Sequence, residues 1–149
     1  MAFILGVLTG LRSFTPVALV SWAARLTWLR LGTTPFAFLG YSATPYIFSL
    51  LALGELVADK LPGIPSRRSP GPFAWRIVAG AVCGCALAYG RGQSVIAGGL
   101  TGASGGVAGT LGGYEFRSRL VKVVGGRDLP IALLEDFMAV AGSLLIVSR

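Results

Sequence analysis

Residues 98–113 read GGLTGASGGVAGTLGG, and this stretch, in which eight of sixteen residues are glycine, decides the class of fold. Glycines spaced four apart form ridges along a helix, where a second helix backbone can approach closely, as in membrane proteins. Gly80 and Gly84 provide a matching ridge earlier in the chain. We predict that the stretch packs against a helix of this chain or of a second copy; a substrate path along it is the alternative. Its two ridges are Gly98, Gly102 and Gly106, and Gly105, Gly109 and Gly113.

The composition around this stretch predicts an all-α integral membrane protein that forms a single domain over residues 1–149. The chain is 54% hydrophobic and only 13% charged, whereas about a quarter of the residues of a soluble domain are charged. A helix needs about 20 apolar residues to cross the bilayer. We expect about five transmembrane helices, the first and fourth of them broken, from five apolar stretches: Ala2–Trp28, Thr44–Leu61, Trp75–Tyr89, Gln93–Leu120 and Pro130–Val147.

The net charge of +7 does not predict nucleic-acid binding, because the basic residues cluster between the apolar stretches and no recognition motif is present. Such clustering is typical of cytoplasmic loops. Eight basic residues fall on one side of the bundle and four on the other, so we predict that the first side is cytoplasmic and both termini lie outside. The eight are Lys60, Arg67, Arg68, Arg76, Arg117, Arg119, Lys122 and Arg127; the four are Arg25, Arg30, Arg91 and Arg149.

Two short segments recur along the chain. Gly6-Val-Leu-Thr-Gly10 is similar to Gly98-Gly-Leu-Thr-Gly102, and Ala52-Leu-Gly-Glu55 is similar to Ala132-Leu-Leu-Glu135. With five crossings the first and fourth helices run in opposite directions, so the pattern predicts an inverted repeat of the kind found in many transporters. Chance similarity among apolar residues is the alternative explanation. The candidate halves are residues 1–68 and 75–149.

Arg12 lies in the middle of the first apolar stretch, inside Gly10-Leu-Arg-Ser-Phe-Thr-Pro16. Pro16 has no backbone N–H and clashes with the carbonyl four residues earlier, so the helix should break near Arg12. Ser13 and Thr15 are expected to satisfy the freed backbone groups. A guanidinium at this depth costs at least ~3 kcal/mol. Two roles stay open: a site for an anionic group, held by Arg12 and exposed amides, or an ion pair with Glu55 or Glu135.

Carboxylates in apolar stretches are candidate functional residues, because an intramembrane charge is costly. Glu55 and Asp59 are four apart and share a helix face. Glu135 and Asp136 point about 100° apart on a helix, and we expect Glu135 to face inward because it repeats Glu55. Asp59 is expected nearer the interface. A polar clamp between helices is the alternative to a proton-carrying role.

The motifs Thr9-Gly-Leu-Arg-Ser-Phe-Thr-Pro16 and Glu55-Leu-Val-Ala-Asp-Lys-Leu-Pro62, followed by a Gly-rich helix, resemble the bacterial family of small membrane proteins named domain of unknown function 4126. That resemblance implies a multi-pass protein of the bacterial inner membrane and implies no activity. Arg12-Ser-Phe-Thr-Pro16 and Gly113-Tyr-Glu-Phe-Arg117 are also similar, in reversed order, to elements of the DedA group of lipid-carrier transporters. This second resemblance implies proton-coupled movement of a lipid phosphate.

Two functions are compatible with these features. The first is a transporter or flippase for an anionic small molecule or lipid headgroup, in which Arg12 binds the anion and Glu55 or Glu135 carries a proton. The second is a non-transporting scaffold or subunit that associates through its glycine ridges. We expect the bilayer and an anionic lipid or small anion as partners, and a homo-oligomer, with a dimer favoured. We expect no enzyme activity, cofactor or metal, because the chain has no histidine and no cofactor motif.

Overall fold

The computed structural model describes residues 1–58, 69–123 and 129–149. These residues are almost entirely helical and contain no strand, which confirms the predicted all-α class. Six α-helices and one 3-10 helix, at Pro35–Gly40, make up the described part of the chain. The α-helices are α1 (Ala2–Leu11), α2 (Phe14–Arg25), α3 (Thr44–Ala58), α4 (Pro70–Gly90), α5 (Val95–Val123) and α6 (Leu129–Val147).

The first apolar stretch is broken where the sequence predicts it. Helix α1 ends at Leu11, and Arg12 has an extended backbone with φ −137° and ψ 112°. Helix α2 begins at Phe14, so Pro16 lies in its first turn, where an N–H has no partner within the helix and its loss costs little. The proline therefore ends one helix and is tolerated in the next.

Helices α1 and α2 fold back on each other as a hairpin. Met1, which precedes α1, contacts the Arg91 guanidinium through its sulfur. Leu29, which follows α2, lies against Gly90. Because residues 90 and 91 are adjacent, the hairpin enters and leaves the bundle at one end, and its tip at Arg12 points into the protein. The first apolar stretch is thus not a single crossing helix.

Helix α5 is one continuous helix of 29 residues, without the predicted break, and it runs parallel to α1. Gly6 packs on Gly102, and Gly10 packs farther along α5 on Gly106 and Gly109. An inverted repeat requires the two helices that carry Leu-Thr-Gly to run in opposite directions. The prediction of an inverted repeat is therefore wrong for α1 and α5, and their shared glycines instead allow the two helices to pack side by side.

Helices α4, α1 and α5 form the most tightly packed part of the bundle. Gly98 and Gly102 face Gly84 and Gly80 of the antiparallel helix α4, and a Cβ atom at any of these four positions would overlap backbone carbonyl oxygens of the other helix. The remaining ridge glycines have contacts inside the chain as well. Gly106 faces the Arg76 backbone of α4, Gly105 and Gly109 face Phe3 and Val7 of α1, and Gly113 faces Leu11.

Helices α3 and α6 complete a bundle in which the helices from α3 to α6 alternate in direction. Trp22 donates from its indole nitrogen to Ser49, and the α2 start contacts Glu55, so α3 is antiparallel to α2. Helix α6 passes the hairpin tip, where Asp136 contacts Arg12, and continues to Ile146, which lies beside Arg91. We call the end with Met1, Gly90 and Ile146 the terminal end, and the end with Ala58, Pro70, Val123 and Leu129 the loop end. Both termini lie at the terminal end, which four alternating helices allow and five would not.

The surface of the bundle exposes many large apolar side chains, and several polar and charged side chains are buried within its apolar core. Long apolar side chains cover the outside of α3 and α6, a continuous exposure that soluble monomers avoid. Helices α4 and α6 are long and apolar enough to cross a membrane by length and composition. The exposed residues include Ile47, Leu50, Leu53, Val57, Leu133, Leu134, Phe137, Leu144 and Leu145; buried polar residues include Thr9, Arg12, Ser13, Thr15, Ser21, Arg76, Thr110, Glu135 and Ser143.

The glycine packing predicts opposite effects for two alanine substitutions on α5. Gly102→Ala places a methyl group against the Gly80 carbonyl and should destabilise the protein by about 1–3 kcal/mol. Gly112→Ala points into open space, and its better helix propensity should stabilise the protein by about 0.5–1 kcal/mol. Unfolding followed by helical circular dichroism in detergent measures both. Equal effects of the two substitutions would contradict this packing.

Candidate functional site

The tip of the α1–α2 hairpin leaves helix ends inside the protein, and their backbone groups need partners. The amides of Ser13 and Phe14 donate to the two carboxylate oxygens of Glu55, at 2.8 and 2.9 Å. The Glu55 carboxylate thus takes the place predicted for the Ser13 and Thr15 side chains in satisfying the freed amides. It also places a negative charge at the positive end of the α2 dipole, which is favourable.

The carbonyl end of α1 is satisfied by Arg76 of α4. Its Nη1 donates to the Gly10 carbonyl and, at 2.9 Å, to the Leu11 carbonyl, while its Nη2 is 3.3 Å from Glu55 Oε1. A cation at the carbonyl end of a helix interacts favourably with the helix dipole. The Arg76–Glu55 ion pair therefore joins the last turn of α1 to the first turn of α2 across the break.

Arg12 itself is fully buried and pairs with Asp136 of α6, with 2.5 Å between Nη2 and Oδ1. The next residue, Glu135, pairs with Arg117 of α5 at 3.3 Å. Adjacent residues of α6 thus point at different neighbours, as the helix geometry predicts. Both neighbours are arginines, so Asp136 and Glu135 both belong to the site, whereas only Glu135 was expected to face inward. The described ion pair of Arg12 involves neither of the predicted carboxylates.

We call these six side chains the tip cluster: Arg12, Arg76, Arg117, Glu55, Glu135 and Asp136. The cluster contains three guanidinium and three carboxylate groups, so its formal charges balance. Buried charges are retained at tolerable cost only when they are paired and hydrogen-bonded. Each carboxylate in the cluster has a guanidinium within 3.3 Å. The described ion pairs thus meet the first of these two requirements, the pairing of charges.

Other predicted residues have simpler positions. Thr15 is buried in the first turn of α2 beside Pro16, and Asp59 lies outside the described residues. Arg76, Arg117 and Asp136 are members of the cluster that were not predicted as site residues. Ser69 before Pro70 could have revealed Arg76, since this pair is typical of a helix start and places Arg76 well inside α4. No sequence feature near Asp136 identifies it as a site residue in this way.

The described residues form an all-helical protein with charged side chains buried at a broken helix. Comparison with known families shows which family the chain belongs to. The family described as "Domain of unknown function (DUF4126)" matches residues 1–148, and the chain belongs to this family. Its predicted membership is confirmed. No curated protein and no solved structure matches the chain, so the likeness to the DedA group stays a prediction.

The buried Arg12–Asp136 pair predicts a non-additive pair of substitutions. Arg12→Met should destabilise the protein by about 3–5 kcal/mol, because it leaves a charge at Asp136 without its partner, whereas adding Asp136→Leu should recover most of the loss. Unfolding midpoints in detergent measure both variants. The exposed Arg119–Glu115 pair is the control, and its loss should cost less than about 1 kcal/mol. Additive losses at Arg12 and Asp136 would contradict the proposed pairing.

Proposed function

We propose that the protein is a small multi-pass membrane transporter or flippase that moves an anionic small molecule or lipid headgroup in exchange for, or together with, protons. The observation that carries this proposal is the tip cluster, in which backbone amides and guanidinium groups surround carboxylates at the end of a broken helix. A site that holds a carboxylate of its own chain has the donors needed for a carboxylate or phosphate of a ligand.

The proposed membrane arrangement has α3 to α6 crossing the bilayer and the α1–α2 hairpin re-entering from the terminal end. Non-helical backbone at membrane depth is tolerated only where protein or water surrounds it, and Arg12 and Ser13 are buried in this way. The basic residues of the loop end favour a cytoplasmic location for that end. The family resemblance favours the bacterial inner membrane.

Charge balance supports coupling to protons. The tip cluster is neutral when all six groups are ionised, so an entering anion would bring an unpaired negative charge into a buried site. If Glu55 or Asp136 takes up a proton as the anion binds, the net charge of the cluster is unchanged. The neutral carboxyl group then releases its guanidinium partner, Arg76 or Arg12, and that guanidinium binds the anion.

The scaffold function has weaker support. It relied on the glycine ridges of α5 as a surface for another membrane protein, but all six ridge glycines pack against α1 or α4 of the same chain. A dimer would therefore need a different surface, and the predicted homo-oligomer stays a prediction. The expectation that the protein is not an enzyme also stays a prediction.

The re-entrant hairpin predicts the sidedness of three labels. An added N-terminal cysteine, Thr27→Cys and Ser148→Cys should all react with an impermeant maleimide from the same side of the membrane, in a variant with Cys83 and Cys85 replaced by alanine. Ser118→Cys, near the loop end of α5, should react from the opposite side. Labelling in oriented vesicles measures this. Five crossing helices would instead put the N-terminal cysteine and Thr27→Cys on opposite sides.

Transport is tested in liposomes with two probes: inorganic phosphate, and a fluorescent phosphatidylglycerol whose flipping is followed by dithionite bleaching. Wild-type protein should move at least one probe faster when a proton gradient is imposed. Arg12→Ala and Glu55→Gln each remove charge-assisted hydrogen bonds and should slow that movement about tenfold or more. Folding is checked first by circular dichroism, with Arg12→Lys as a milder variant.

The control for transport is Arg119→Gln, because Arg119 is 76% exposed and lies outside the tip cluster. This variant should move the probe at the wild-type rate. Movement of neither probe by wild-type protein, or unchanged movement in both Arg12→Ala and Glu55→Gln, would contradict the proposed function.

A further inference from the structure

A groove separates α1 from α6 on the outer surface of the bundle. Its volume is about 510 Å³, within the range of sites that bind small molecules. Ile4 and Leu8 form one wall, and Phe137, Ala141 and Leu145 form the other. Its lining is apolar along almost its whole length. Because α1 and α6 are antiparallel, the groove runs along the helices and thus along the normal of the proposed bilayer.

Two guanidinium groups lie where this groove reaches the terminal end. Arg149 is part of the groove lining. Arg91 donates to the Ile146 carbonyl at 2.6 Å and contacts the Met1 sulfur, and both of these residues also line the groove. The groove therefore combines a long apolar channel with positive charge at one end only.

This combination matches the chemistry of an anionic phospholipid. An acyl chain is apolar and extends along the bilayer normal, and its phosphate lies at the interface, where arginine binds it through charge-assisted hydrogen bonds. A free phosphate ion would not use the apolar channel. A water-soluble ligand would not reach a groove that opens sideways toward the lipid.

We infer that the α1–α6 groove binds one acyl chain of an anionic phospholipid, whose phosphate contacts Arg149 and Arg91 at the terminal end. The inference rests on the proposed membrane arrangement but not on transport, because the groove opens on the outer surface, where Phe137 is exposed, whereas Arg12 of the tip cluster is buried inside the bundle. The bound lipid would cover the place where α1 packs on α6 through the contact between Leu8 and Gly142.

The test uses the purified full-length protein in detergent with equal amounts of phosphatidylglycerol and phosphatidylcholine, and native mass spectrometry counts the lipids retained. Wild-type protein should retain one phosphatidylglycerol in preference to phosphatidylcholine. Ala141→Phe fills the groove and should abolish this retention. Arg149→Gln should leave a lipid bound but reduce the preference for phosphatidylglycerol about fivefold, as expected for the loss of one interfacial arginine.

Each variant has a matched control. Ala108→Phe adds the same side chain to the exposed face of α5, outside the groove, and Arg30→Gln removes an exposed arginine near the same end of the bundle. Both should behave as wild type. Retention that survives Ala141→Phe, or an equal loss of preference in Arg30→Gln and Arg149→Gln, would overturn the inference. If lipid retention follows this pattern but the liposomes show no transport, the proposed function is contradicted and the lipid-binding inference is not.

Discussion

The structure depends on the ion pair between Arg76 and Glu55, which joins two helix ends that lie inside the bundle. At the hairpin tip, α1 ends in unpaired carbonyls and α2 begins with unpaired amides, and each unsatisfied group would cost several kcal/mol in an apolar environment. Arg76 donates to the carbonyls and Glu55 accepts from the amides. Because the two side chains also contact each other, they fix the angle between α1 and α2.

The glycines of α5 make this arrangement geometrically possible. Arg76 can reach the carbonyls of α1 only if α4 and α1 lie close together, and both helices pack on α5 at positions where a side chain would overlap backbone. Close packing of three backbones brings one guanidinium within reach of two helix ends. The stretch that decides the fold therefore also determines the position of the charges, although it contributes no charged residue to the tip cluster.

Sequence reasoning predicted the features that depend on local chemistry. The break at Arg12 follows from the effect of Pro16 on its own helix, and the close packing of α4 on α5 follows from matching glycine spacing. The direction of α2 could not be predicted in this way, because an apolar stretch of this length fits one crossing helix or a hairpin equally well. The prediction of both termini outside was not compatible with five crossings, and the hairpin resolves that disagreement.

The partners of the charged residues depend on the rotation and register of helices from distant parts of the chain. A rotation of α6 by 100° would exchange Glu135 and Asp136, and nothing near Asp136 in the sequence indicates which arginine it faces. Arg76 was counted among the basic residues of the cytoplasmic side, at the beginning of the stretch Trp75–Tyr89, although the start of α4 at Pro70 places it inside the helix. Charge alone predicts exposure, and only the helix boundary shows that this arginine lies within the bundle.

Stability alone does not account for three ion pairs at the hairpin tip. Replacing a buried ion pair with apolar residues of similar size is often neutral or stabilising by 1–4 kcal/mol, because desolvation offsets the attraction between the charges. Arg76 and Glu55 are needed to satisfy backbone groups, so their retention has a structural reason. Arg12–Asp136 and Arg117–Glu135 pair the remaining charges of the tip cluster. For these two pairs, a role in binding an anion or a proton would explain why costly buried charges are retained, and Glu55 would combine such a role with its structural one.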